Sequence, residues 1–241
     1  LMDEGTKTKT PAQLEEAIDL LGSSISISAG LESIGISGNS LAKNLDATLE
    51  LVNEILTEPR WDTEAFEIAK TRRLASIQQT KGNPQSLAFN ALNKQLYGEG
   101  HPSSIPLGGT IESVESITLD DLKEYFEQNI SPKVAHFHIV GDINQDESLK
   151  ALKSFNEKWN GTDVELPKVE MVNTPSKPTV YFIDIPDAKQ SAITVGTLTV
   201  PGTDPLLYQL NVANNRLGGG MEARLMRTLR LEKGYTYGAG S

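Results

Sequence analysis

The sequence predicts an α+β fold: two related domains in tandem, each an antiparallel sheet covered by helices, with the second domain cut short. Three observations lead there. The period-two segments SSISISAG and SIGISGNS form a strand pair, several amphipathic helices follow, and KVAHFHIVGD has the pattern of a core strand. A polar, proline-containing stretch from Asn160 to Pro178 then intervenes, after which strands and a helix begin again. A doubly wound parallel fold would alternate strand and helix throughout. The expected domains are 1–163, lacking its N-terminal part, and 164–241, lacking its C-terminal part.

The elements follow in order. Thr10 can cap a helix, Pro11 suits its first turn, and Gln13 can reach back as in a capping box. Leu14, Ala17, Ile18 and Leu21 then fall on one face and Gly22 ends the run. After the hairpin, NLDATLELVNEILTEP is apolar at Leu45, Leu49, Val52 and Leu56 and stops at Pro59. A longer helix spans about 62–80, Gly82-Asn83-Pro84 breaks it, and another helix runs to Tyr97. HPSSIPLGGT is a loop, Ser116-Ile117-Thr118 caps the helix LDDLKEYFEQN, and a further helix ends near Trp159. Past the boundary TVYFIDIP and SAITVGTLTV are expected strands, and Asp204-Pro205 starts a helix.

Composition narrows the function. Among 241 residues, Lys+Arg number 22 against 32 Asp+Glu, a net charge of -10 that repels phosphodiesters and disfavours a nucleic-acid partner. Basic peptides suit it better. The absence of cysteine excludes disulfides and thiolate metal sites, and it is compatible with a reducing or an oxidising compartment, bacterial cytoplasm and periplasm included. No apolar run has the length of a membrane span. Leu1 stands where an initiator Met would, and the chain stops just after GYTYG, so the sequence reads as a fragment of a longer polypeptide.

Few residues offer chemistry. Gly218-Gly219-Gly220 before a helix could cradle an anion, but Met221-Glu222 stand where a phosphate loop needs Lys and Ser/Thr. A tight turn is the plainer account of the glycines. His136 and His138 alternate on one strand face, without a third metal ligand at a recognisable spacing. Glu112, Glu115, Asp120 and Asp121 surround a helix start, where acids favour the dipole. The pointed pair is Arg230, at the end of ARLMRTLR, and Tyr237, seven residues on in GYTYGAG, an expected strand with Tyr235 on the same face. A helix end feeding a strand can bring the two tips together, and guanidinium plus phenol offer donors to a peptide carbonyl or a developing oxyanion. Helix capping by Arg230 is the structural alternative.

Three stretches carry a family resemblance. LMDEGTKTKTPAQLEEAIDLLGSSISI, HPSSIPLGGTIESVESITLDDLKEYFEQNISPKVAHFHIVGDI and LGGGMEARLMRTLRLEKGYTYG stand in the right order, and the match covers nearly the whole chain. They resemble the pitrilysin/insulinase zinc metallopeptidases, which include mitochondrial processing peptidase. That resemblance implies a clamshell whose two halves of like fold enclose unfolded peptides. It also implies a catalytic half with His-x-x-Glu-His, two histidines on zinc and the glutamate acting through water. The segment for that motif would precede Leu1.

By the family layout the third zinc ligand falls near Ser76. Between Glu67 and Glu99 there is no Asp or Glu, so no small shift of register supplies a carboxylate. The resemblance therefore implies a non-catalytic half, with no metal or cofactor of its own and zinc in a catalytic partner half, fused or separate. For such a half it assigns Arg230 and Tyr237 to the bound peptide, while Arg224 is structural and Tyr235 a neighbour. An inactive assembly subunit of the same fold and a trimmed catalytic half are the alternatives.

Overall fold

The computed structural model describes residues 1–159, 161–169, 172 and 177–241. The stretch expected to separate two domains lies in part outside them. By their internal contacts the described residues fall into two units, one over Leu1–Val172 and Thr179–Val195, the other built on Gly196–Ser241.

The first unit opens with α1 (Pro11–Leu20). Thr10 accepts from the Gln13 amide and Gln13 answers on the Thr10 amide, the reciprocal cap its sequence predicts. Strands β1 (Ser24–Ala29) and β2 (Ile34–Asn39) pair antiparallel, with Ile27 opposite Ile36. Helix α2 (Leu45–Thr57) supplies Leu51 and Ile55, which close with Leu14 of α1 into the buried core. Ile18, Leu21, Ile25 and Ile27 pack around them. The buried stripe of α2 runs through Thr48, Leu51 and Ile55, a helical turn apart each time, rather than through Leu45, Leu49 and Val52. Of the expected apolar face only Leu56 is buried. The core lies against the other side because Leu14 and the inward isoleucines of β1 approach there.

The segment before α1 is tied down by backbone and charge. Thr6 bridges Pro59, and the Lys7 amide donates to the Glu58 carbonyl at 2.8 Å. Gly5 sits at φ +93°, and a Cβ there would stand 2.7 Å from the Lys9 carbonyl oxygen, so this turn requires glycine. Glu54 of α2 accepts from Thr6 Oγ1 at 2.5 Å, from Lys9 Nζ at 2.5 Å and from Thr8 Oγ1.

Helix α3 (Thr63–Thr80) is capped by Asp62, and α4 (Pro84–Tyr97) by Asn83. Between the expected loop HPSSIPLGGT and Thr118 lies a further helix, α5 (Ile111–Ser116), capped reciprocally by Thr110 and Ser113. Serine at that third position gives a weaker signal than Glu or Gln, and the helix is only 6 residues long. Lys70 of α3 donates to the carbonyls of Glu115 and Ile117, both at 2.8 Å, and so closes the end of α5. Thr118 caps α6 (Leu119–Asn129), and Asn144 caps α7 (Gln145–Lys158), which packs against α2.

Three expected strands of this region are absent as ladders among the described residues. Pro132–Val134 forms a 3-10 turn, and Val140 is left 99% exposed. In TVYFIDIP and SAITVGTLTV, Phe182 is 88% and Val195 91% exposed. A period-two pattern marks residues able to join a sheet; the ladder itself needs a neighbouring strand to take up the N–H and C=O groups.

The second unit holds α8 (Leu206–Gly218), a turn at Gly219–Ala223, and a 7-residue π-helix, Met226–Glu232. Here too GYTYGAG joins no ladder among the described residues, and Tyr235 and Tyr237 are exposed.

Candidate functional site

The glycine run is a packing device. A Cβ on Gly218 would lie 2.3 Å from the Ser241 backbone nitrogen, and one on Gly219 would lie 2.7 Å from the Asn215 Cα. The Ser241 amide donates to the Gly218 carbonyl, and its hydroxyl donates to Asn214 Oδ1 at 2.8 Å. Two glycines thus admit close backbone, whereas Gly220 faces open space.

Beyond that turn the chain is helical from Arg224 and widens at Met226. The Lys233 amide donates to the Thr228 carbonyl at 3.1 Å, the five-residue step of a π-helix. Gly234, at φ +64°, ends it, and the Tyr235 amide returns to the Leu229 carbonyl at 2.9 Å. Thr236 Oγ1 donates to the Gly238 carbonyl at 2.8 Å and accepts from the Gly238 amide at 3.2 Å. That reciprocal bracket fixes the backbone on both sides of Tyr237.

The consequence is a contact. Cζ of Arg230 lies 4.5 Å from the Tyr237 ring centroid, within reach of a cation–π attraction. A guanidinium nitrogen of Arg230 also donates weakly to Met221 Sδ at 3.9 Å. The nearby Arg227 is occupied differently, pairing with Glu232 at 3.2 Å on the surface. The two residues singled out from sequence are therefore brought together, by a π-turn and a bracketed loop in place of a helix and a strand. Tyr235 is exposed beside them, and Arg224 is exposed as well. Sequence reasoning missed Met221 and the Thr236–Gly238 bracket. The Thr-x-Gly spacing was a usable signal for the bracket; nothing local signals a sulfur nine residues from the arginine it meets.

The other candidates remain apart. His136 and His138 are exposed, and among the described residues no group of three or more His, Asp or Glu gathers as a metal would need. His101 instead accepts the Ser103 amide on Nδ1 and stacks on Tyr97 at 4.9 Å. Asp121 carries a carboxyl held below its usual range by the side chain and amide of Thr118, so besides its place at the helix start it closes the cap of α6. Glu112 is likewise lowered, first by its own amide and then by Thr110. Ser76 lies exposed on α3, its carbonyl accepting from Thr80. No helix among the described residues is long and apolar enough to cross a membrane.

Helices with a small antiparallel sheet make this an α+β protein, and the fold is shared with a solved structure: the peptidase M16 inactive domain from Pseudomonas fluorescens matches with a TM-score of 0.82 at 22% identity, over 98% of this chain and 57% of that one. The family description "Insulinase (Peptidase family M16)" matches residues 1–110, and "Peptidase M16 inactive domain" matches residues 116–241. The chain belongs to the insulinase family, peptidase family M16. Among curated relatives, the "Non-peptidase homolog YmxG" of Helicobacter pylori is 26% identical over 98% of this chain and 54% of its own length. The "Uncharacterized zinc protease YmxG" of Bacillus subtilis is 24% identical over 97% of this chain and 56% of its own. The chain thus spans about half the length of the curated relatives it matches.

Proposed function

We propose that this chain is the zinc-less half of an M16 metallopeptidase, a pair of related domains that helps enclose an extended peptide and positions it for a zinc-bearing partner half. The observation that carries this reading is the placement of the Arg230 guanidinium 4.5 Å from the Tyr237 ring, on an exposed surface. A guanidinium and a phenol can both donate to a peptide carbonyl, and donors set in advance stabilise charge that develops on that oxygen. The partner would supply zinc and the water it activates; this chain would bind and orient the peptide.

Zinc does not fit this chain. By family resemblance the third ligand should be a carboxylate near Ser76, and residues 68–98 contain none. A serine hydroxyl is a poor substitute in a set of His and Glu ligands. The apolar side chains Val180, Phe182, Ile193 and Val195 are exposed, and burial against a partner would be favourable for them.

Reconstitution with a zinc-bearing M16 partner tests the proposal. Arg230→Ala should lower peptide turnover roughly 10- to 100-fold with the fold intact. Unchanged turnover would favour the second reading, an assembly subunit without catalysis. The name of the Helicobacter pylori relative, a non-peptidase homolog, is the observation that speaks for it.

A further inference from the structure

Arg230 has to be held in one orientation to meet a substrate group, yet among the described residues its guanidinium is in no ion pair. Its neighbours are the Met221 thioether at 3.9 Å and the Tyr237 ring at 4.5 Å. Neither is a strong acceptor. Thioether sulfur accepts weakly, and an aromatic face attracts the cation through its quadrupole. A carboxylate would also orient the guanidinium, but it would engage two of the five N–H donors and neutralise the charge.

The turn that carries Met221 is itself anchored. Ala223 is 6% exposed, its amide donates to the Gly220 carbonyl at 3.1 Å, and its carbonyl accepts from the Arg227 amide at 2.9 Å. Met221 is half exposed and still reaches Arg230 across the start of the helical run.

We propose that Met221 is a positioning residue for Arg230: its thioether takes one N–H and holds the guanidinium over Tyr237 while leaving the other N–H donors free for a substrate carbonyl. The functional half of this statement rests on the substrate role given to Arg230 above. The geometric half does not.

Three changes at the sulfur separate orientation from occupation. Met221→Leu keeps the bulk and removes the sulfur. Met221→Glu sets a strong acceptor against the guanidinium. Peroxide transfers one oxygen atom to the thioether, which loses two electrons and becomes a sulfoxide while the peroxide leaves as water; the new S=O oxygen accepts strongly. Of the 4 methionines, only Met221 remains oxidisable after Met2→Leu, Met171→Leu and Met226→Leu.

The test follows the Arg230 Nε–Hε cross-peak of the nitrogen-15-labelled protein, with circular dichroism as the check on folding. Binding of fluorescein-labelled casein, an unfolded polypeptide, is followed by anisotropy in parallel. Met221→Glu should shift the cross-peak and weaken casein binding about tenfold, and Met221→Leu should weaken it by about threefold. Peroxide treatment of the single-methionine protein should reproduce the glutamate result, which covers the case in which a Met221 variant misfolds. A cross-peak unmoved by both Met221→Glu and oxidation overturns the inference. So does unchanged casein binding in Met221→Glu when Arg230→Ala weakens it. If Arg230→Ala also leaves casein bound, the substrate reading of Arg230 has failed and the functional half of the inference falls with it.

Discussion

Arg230 rests with Cζ 4.5 Å from the ring centroid of Tyr237, although the end of a π-helix and a glycine at positive φ lie between them in the chain. The contact is local to the second unit and depends on three backbone features: the wide turn, Gly234, and the Thr236–Gly238 bracket.

Tyr237→Phe keeps the ring face, so Arg230 should stay in place, while Tyr237→Ala releases it at a loss of about 0.5–1 kcal/mol, the usual scale for an exposed cation–π pair. The Nε–Hε resonance of Arg230 checks this directly. In a reconstituted enzyme both variants should turn over peptide more slowly if the hydroxyl itself donates to substrate. A slow Ala variant beside a normal Phe variant would confine Tyr237 to holding Arg230.

Gly218 and Gly220 should respond differently to alanine. At Gly218 the new methyl meets the Ser241 backbone at 2.3 Å, and at Gly220 it meets nothing within 4 Å. Gly218→Ala should therefore break the Ser241–Asn214 hydrogen bond and speed amide exchange at Ser241, whereas Gly220→Ala should leave that amide protected. Equal exchange in the two variants would contradict the packing role of the run.

The carboxylate of Glu54 should make stability pH-dependent. Burial alone would raise its pKa, but hydrogen bonds from Lys9, Thr6 and Thr8 outweigh that and hold it below the usual Glu range. A carboxyl lowered in the folded state stabilises the fold fully above its unfolded pKa, and the contribution disappears as pH falls through the folded value. Glu54→Gln should cost about 1–3 kcal/mol at neutral pH and flatten this acid limb. Urea denaturation across the acid range gives the measurement, and parallel curves for the two proteins would contradict it.

The helices were legible because their signals are local. Thr10, Asp62, Asn83, Thr118 and Asn144 all serve as caps, as the side chains at those helix starts allow. The hairpin was legible because both of its strands lie close together in the chain. Strand patterns at 133–142, 179–186 and 191–200 gave propensity, but among the described residues they join no ladder, and a ladder is a property of two segments. At the site, residue identities came from the sequence, but the geometry did not. A π-helix differs from an α-helix by one residue per turn and has no distinctive composition, so the route that brings Arg230 to Tyr237 could not be read from spacing.

The account centres on a division of labour: zinc and the activated water in a partner half, peptide contact in this one. Its most direct test is peptide hydrolysis by this chain alone, by a zinc-bearing M16 partner alone, and by the two together, repeated with Arg230→Ala. The account predicts no zinc-dependent cleavage from this chain, cleavage by the mixture, and a fall of roughly 10- to 100-fold with the variant. Zinc-dependent cleavage by this chain alone, or full activity of the mixture carrying Arg230→Ala, would contradict it.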